Sequence, residues 1–115
     1  MAENSDVTSA VGSPVVAMLR TQVPAFEATF QVHLVEEENE LGAFQAVSVF
    51  AAWLANRLTE SPEAADVRRG FRVVEDVAVG DYPLGHELVT EFVEALADYP
   101  QAVERMGPET RLRLT

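Results

Sequence analysis

The sequence predicts an all-α fold, a compact single-domain bundle of about five to six short helices. Three observations carry this expectation. Apolar residues recur at three- and four-residue intervals through Ala43 to Leu58, the spacing that lines one face of a helix. No segment alternates convincingly between apolar and polar residues, as a half-buried strand would. Ser13-Pro14, Ser61-Pro62, Gly80-Asp81-Tyr82-Pro83 and Asp98-Tyr99-Pro100 punctuate the chain at helix-length distances. With 115 residues and 48% hydrophobic content, the chain suits one core and is too apolar for wholesale disorder.

Residues 1–12 mix Ser, Thr, Asn and Gly without a sustained apolar period and read as a flexible N-terminal tail, leaving 13–115 as a single helical domain. Ser13 followed by Pro14 is the order of a cap and first turn, and Val15, Val16, Met18 and Leu19 make a short helix that stops before Pro24. Ala25 to about Glu38 sets Phe26, Phe30, His33 and Leu34 on one stripe.

Ala43 to Leu58 carries the strongest periodic signal. Phe44, Val47, Ala51, Leu54 and Leu58 form its apolar line, which Val49, Phe50 and Trp53 broaden, so this is the expected central, most buried helix. Ser61 is placed to cap the next helix, with Pro62 in its first turn and Glu63 favourable against the dipole. That helix runs to about Val79 with Val67, Phe71, Val74 and Ala78 inward, while Arg72 is spaced to pair with Glu75 and Asp76.

After the Gly80 to Pro83 break, a helix from Leu84 or Gly85 to Ala97 aligns Leu88, Phe92 and Leu96, with Val89 and Val93 beside them. Gln101 to Arg105 makes a short helical turn, and Glu109 to Leu114 a last helix. The helices around Val67–Val79 and Leu88–Ala97 read either as a hairpin of the helical-repeat kind or as two neighbours in a bundle. A solenoid needs about three stacked copies, and one unit favours the bundle.

Charge narrows the function classes. There are 19 acids against eight cations, giving a formal net charge of -11, and every cation is Arg. Scattered arginines on an acidic chain argue against direct nucleic-acid binding. Cysteine is absent, which removes disulfides, thiol nucleophiles and Cys-ligated zinc. The N-terminal residues lack the basic start of a secretory leader, and the longest uncharged run, Leu41 to Asn56, is too short and polar to span a membrane. A cytoplasmic protein, monomer or homodimer, is the expectation.

No phosphate loop, no Gly-x-Ser-x-Gly elbow and no His-x-x-x-His spacing is present, so neither a catalytic site, a metal site nor a cofactor is expected. His33, on the apolar stripe, reads as a partly buried histidine with a local partner, and His86 as a first-turn surface residue. The run Glu36, Glu37, Glu38 and Glu40 closes a helix against its dipole, an arrangement that costs stability. It fails the calcium-loop pattern, because no Glu stands at the twelfth place. From Val73 to Glu104 there are eight acids and no cation, and Glu87, Glu91, Glu94 and Asp98 follow helical spacing opposite Leu88, Phe92 and Leu96. Both acidic groups read either as solvated surface or as a partner-facing field.

Two motifs carry a resemblance. The stretch from Asp66 to Leu96 contains Arg69-Gly70-Phe71-Arg72-Val73-Val74-Glu75-Asp76 and ends Val89-Thr90-Glu91-Phe92-Val93-Glu94-Ala95-Leu96; Met106-Gly107-Pro108-Glu109-Thr110-Arg111 follows. In these features the chain resembles a family of small, acidic, all-helical bacterial proteins of uncharacterised function. The resemblance implies an immunity- or antitoxin-like role, binding and silencing a partner, and it implies no catalytic residues. The leading expectation is therefore a non-enzymatic binding protein whose acidic face, Glu36, Glu37, Glu38, Glu40, Glu87, Glu91, Glu94 and Asp98, takes a basic, toxin-like protein. The alternatives are a nucleic-acid mimic that inhibits a DNA-binding enzyme, and a small ligand-binding helical domain built around His33 or His86.

Overall fold

Ser13 starts the first helix as its spacing predicts: in the computed structural model, which describes residues 6–114, its hydroxyl accepts the Val16 N–H at 3.2 Å. Helix α1 (Pro14–Gln22) buries Val15, Val16 and Leu19 and ends at Val23, before Pro24. A 3₁₀ turn, Pro24–Phe26, leads into α2 (Glu27–Glu36). Helix α3 (Ala43–Glu60) follows, then α4 (Ala65–Val79) and α5 (Gly85–Leu96). The short α6 (Pro100–Arg105), α7 (Pro108–Arg111) and a 3₁₀ turn, Leu112–Leu114, complete the chain. The all-α expectation holds; the helices number seven among the described residues because both C-terminal turns are wound into separate short helices. The radius of gyration, 13.3 Å, is that of one folded unit.

An aromatic spine organises the core. Phe30 meets Phe26 at 6.1 Å between ring centroids, Phe26 meets Phe50 edge-on at 5.0 Å, Phe50 meets Phe92 at 6.1 Å, and Phe92 meets Phe71 edge-on at 6.1 Å. Such edge and offset contacts contribute about 0.5–1.5 kcal/mol each beyond burial. The spine links α2, α3, α5 and α4 through one interior. Helix α3 lies against α5 along much of its length, and Gly70 on α4 admits Leu54 of α3 so closely that a Cβ there would stand 2.6 Å from Leu54 Cδ1. Helices α4 and α5 pack as neighbours of the bundle.

Four expectations are corrected. The segment 6–12 is not a free tail: Ala10 is buried, its N–H donates to Leu41 O at 2.8 Å, and Ala43 N–H donates to Thr8 O at 2.8 Å. It clamps the loop between α2 and α3, because that loop's backbone groups need partners that neither helix supplies; residues 1–5 of the expected tail lie outside the described residues. Ser61 does not cap α4. It closes α3 through its N–H on Arg57 O at 2.8 Å, and α4 starts after Ala64, where Asp66 in the first turn takes the Arg57 guanidinium at 2.9 Å. Phe44 leaves the apolar line of α3 and stands on the surface, 38% exposed, while Phe50 is fully buried. Asp98 lies past the end of α5, in the turn before α6, rather than on the helical face of Glu87, Glu91 and Glu94.

Candidate protein-binding surface

Helix α2 ends in a local motif that displays the acidic run. Glu37 N–H donates to His33 O, Glu38 N–H to Val35 O at 3.0 Å, and Asn39 N–H reaches back to Leu34 O at 2.8 Å, the paired bonds of a Schellman closure. The closure needs the left-handed backbone, and Glu38 (φ 55°) and Asn39 (φ 67°) adopt it without a glycine. A non-glycine residue there costs about 1–2 kcal/mol. Glu36, Glu37, Glu38 and Glu40 are all exposed on the resulting turn.

The second acidic group sits on α5. Glu87 and Glu94 are exposed, whereas Glu91 is half-buried and its Oε2 accepts the Ser48 hydroxyl of α3 at 2.6 Å. This bond ties the acidic face of α5 to α3. It also brings the two groups into one place. Glu37 and Glu91 line a single surface trough, whose other walls are His33, Leu41, Phe44, Gln45, Ser48 and Val49. No arginine lines it. The trough adjoins a second hollow along α3 that shares His33, Ser48 and Val49 and reaches Trp53 and Asn56.

Of the eight acids expected at the site, the structure gathers Glu37 and Glu91 at this trough. Glu36, Glu38 and Glu40 flank Glu37 along the same turn, Glu87 and Glu94 lie one turn to either side of Glu91, and Asp98 lies apart from the α5 face. Two contributors went unrecognised in the sequence. Spacing alone places Phe44 in the core, and Ser48 carries no motif of its own; Phe44 instead faces outward from a first turn whose Ala43, Ala46 and Val47 are buried.

The histidines take local roles. His33 is partly exposed with Nδ1 3.9 Å from Glu36 Oε1, and His86, in the first turn of α5, has Nδ1 3.2 Å from an Arg113 guanidinium nitrogen. In the trough the Ser48 hydroxyl donates to the Glu91 carboxylate, so the lining offers charge, hydrogen-bonding groups and the apolar side chains of Leu41, Phe44 and Val49 side by side. Inside the protein, a space of about 10 Å³ between Val15, Leu19, Phe50, Leu88 and Phe92 is lined only by apolar residues and is about one water in size. Among the described residues no three His, Asp or Glu side chains gather as metal ligands, and no helix is long and apolar enough to cross a membrane. The chain has no match among protein-family models, curated proteins or solved structures.

Proposed function

We propose that this protein is a non-enzymatic binding module of the immunity or antitoxin kind, which takes a basic segment of a partner protein in the trough between α2, α3 and α5. One observation carries the reading: two acidic groups far apart in the chain meet across a groove that has exposed Phe44 in its wall and no arginine among its lining residues. A cationic side chain entering there finds Glu37 and Glu91, and its apolar stem finds Phe44 and Val49. The surrounding acids steer the encounter and act mainly on the association rate. The stability given up at Glu38 to present the acidic turn supports the same reading.

The test uses basic proteins encoded beside this chain's own gene, co-purified with it at about 50 mM and about 300 mM salt, where screening differs strongly. One of them is retained at low salt, released as salt rises, and lost with Glu37→Lys. Retention of none, or equal retention by Glu37→Lys, overturns the proposal.

A further inference from the structure

On another part of the surface, three of the eight arginines line one trough of about 290 Å³: Arg68 and Arg72 on α4 and Arg105 on α6, over Phe71, Glu75 and Gly107. We propose that this trough binds a small phosphoryl-bearing anion, a phosphate monoester or free phosphate.

Two of the guanidinium groups are held in place without being neutralised. Arg68 Nη1 donates to Glu63 O and Arg105 Nη1 to Pro62 O at 2.8 Å, both backbone carbonyls of the turn that joins α3 to α4. A carbonyl orients a guanidinium and leaves its charge in place. The nearest carboxylate pairing is Glu63 with Arg105 at 3.6 Å, and the Glu63 side chain is 87% exposed, so solvent screens it. Arg72 is exposed and has no hydrogen bond or ion pair among the described residues.

Glu75 is the one carboxylate in the trough wall, and its oxygens are already occupied. They accept the N–H groups of Glu109 and Thr110 and the Thr110 hydroxyl. Its charge is countered at the start of α7 rather than by the trough arginines.

Planar guanidinium forks match the oxygens of a phosphoryl group, and their preorganisation removes part of the ordering cost of binding. Phe71, 5% exposed, is the apolar residue among those lining the trough, beside which a small organic group on the phosphate would lie. This site is independent of the acidic trough proposed above.

The experiment titrates the full chain with phenyl phosphate and with inorganic phosphate, following backbone amides by NMR. Saturable shifts centred on Arg72, Arg105 and Gly107 are expected. Arg72→Gln weakens binding by about tenfold or more, whereas Arg69→Gln, an exposed neighbour on α4 that does not line the trough, weakens it by less than about twofold. Tighter binding of phenyl phosphate assigns the site to monoesters, and equal binding assigns it to the phosphate group itself. Unsaturable shifts, shifts centred elsewhere, or equal losses in the two variants overturn the proposal. Arg72 is exposed and makes no hydrogen bond or ion pair among the described residues, so its substitution is expected to leave the fold in place; unchanged amide spectra outside the trough check this.

Discussion

Glu75 Oε1 accepts both the Thr110 backbone N–H at 3.0 Å and the Thr110 hydroxyl at 2.8 Å, so an acid in the second half of α4 secures the start of α7. Its Oε2 takes the Glu109 N–H at 3.0 Å. Helix α7 has no capping side chain of its own, and Glu75 supplies the acceptor that its first N–H groups need.

Glu75→Gln is therefore expected to destabilise the protein by about 1.5–3 kcal/mol, the range for hydrogen bonds to a charged partner. In a double-mutant cycle with Thr110→Val the two substitutions are non-additive, by at least about 0.5 kcal/mol. Chemical denaturation measures both. Additive losses refute the coupling.

Acid should weaken the fold through two carboxylates. The Arg20 guanidinium, bonded to Glu27 at 2.8 and 2.7 Å, holds the Glu27 carboxyl down to about 2 against the opposing effect of burial, with Gln31 helping. At Glu75, burial pushes the carboxyl up, but the Glu109 and Thr110 donors and the charge of Arg113 outweigh it and the net shift is down. A lowered folded-state value means stability that is present above the unfolded value near 4.5 and lost as pH falls, for Glu27 down through about 2. Glu27 is 38% exposed on its side chain, so screening limits its share to about 1 kcal/mol. Denaturation midpoints between pH 6 and pH 2 should fall less steeply in Glu27→Gln than in the parent; identical slopes refute this account.

Glu38→Gly is expected to stabilise the protein by about 0.5–1 kcal/mol, because relief of the left-handed strain exceeds the added freedom of the unfolded chain. The change leaves Glu37 in place but removes one acid from the turn. A lower melting temperature for the variant contradicts the strain at this position.

Phe44→Ala should change stability by less than about 1 kcal/mol, while Phe50→Ala costs about 3–5 kcal/mol. The two sit on the same helix, and only Phe50 joins the aromatic spine. If the proposed function holds, Phe44→Ala also weakens capture of the basic partner without disturbing the fold. Equal destabilisation by the two substitutions places Phe44 in the core after all.

Helix existence and most inward faces were legible in the sequence. Ser13, the proline and glycine breaks, and the line of Leu88, Phe92 and Leu96 each act within a few residues, and all stand where spacing places them. The acidic surplus and its concentration in two stretches were equally plain. Spacing misplaces Ser61 and Phe44, where a residue's role depends on partners beyond its own helix: Arg68 of α4 and Arg105 of α6 hold the carbonyls of the turn after Ser61, and the packing of α5 against α3 decides which face of α3 is buried.

By itself, then, the sequence determined an all-α chain, its helix-forming segments and a strongly anionic surface, because these follow from residue type and from contacts between near neighbours on one helix. Only the tertiary structure decided that Glu37 and Glu91 share a trough, that Arg68, Arg72 and Arg105 share another, and that Glu75 serves α7 instead of Arg72. Those meetings depend on how helix faces pack across the interior, and spacing along a single helix carries no record of the angle or depth at which another will cross it.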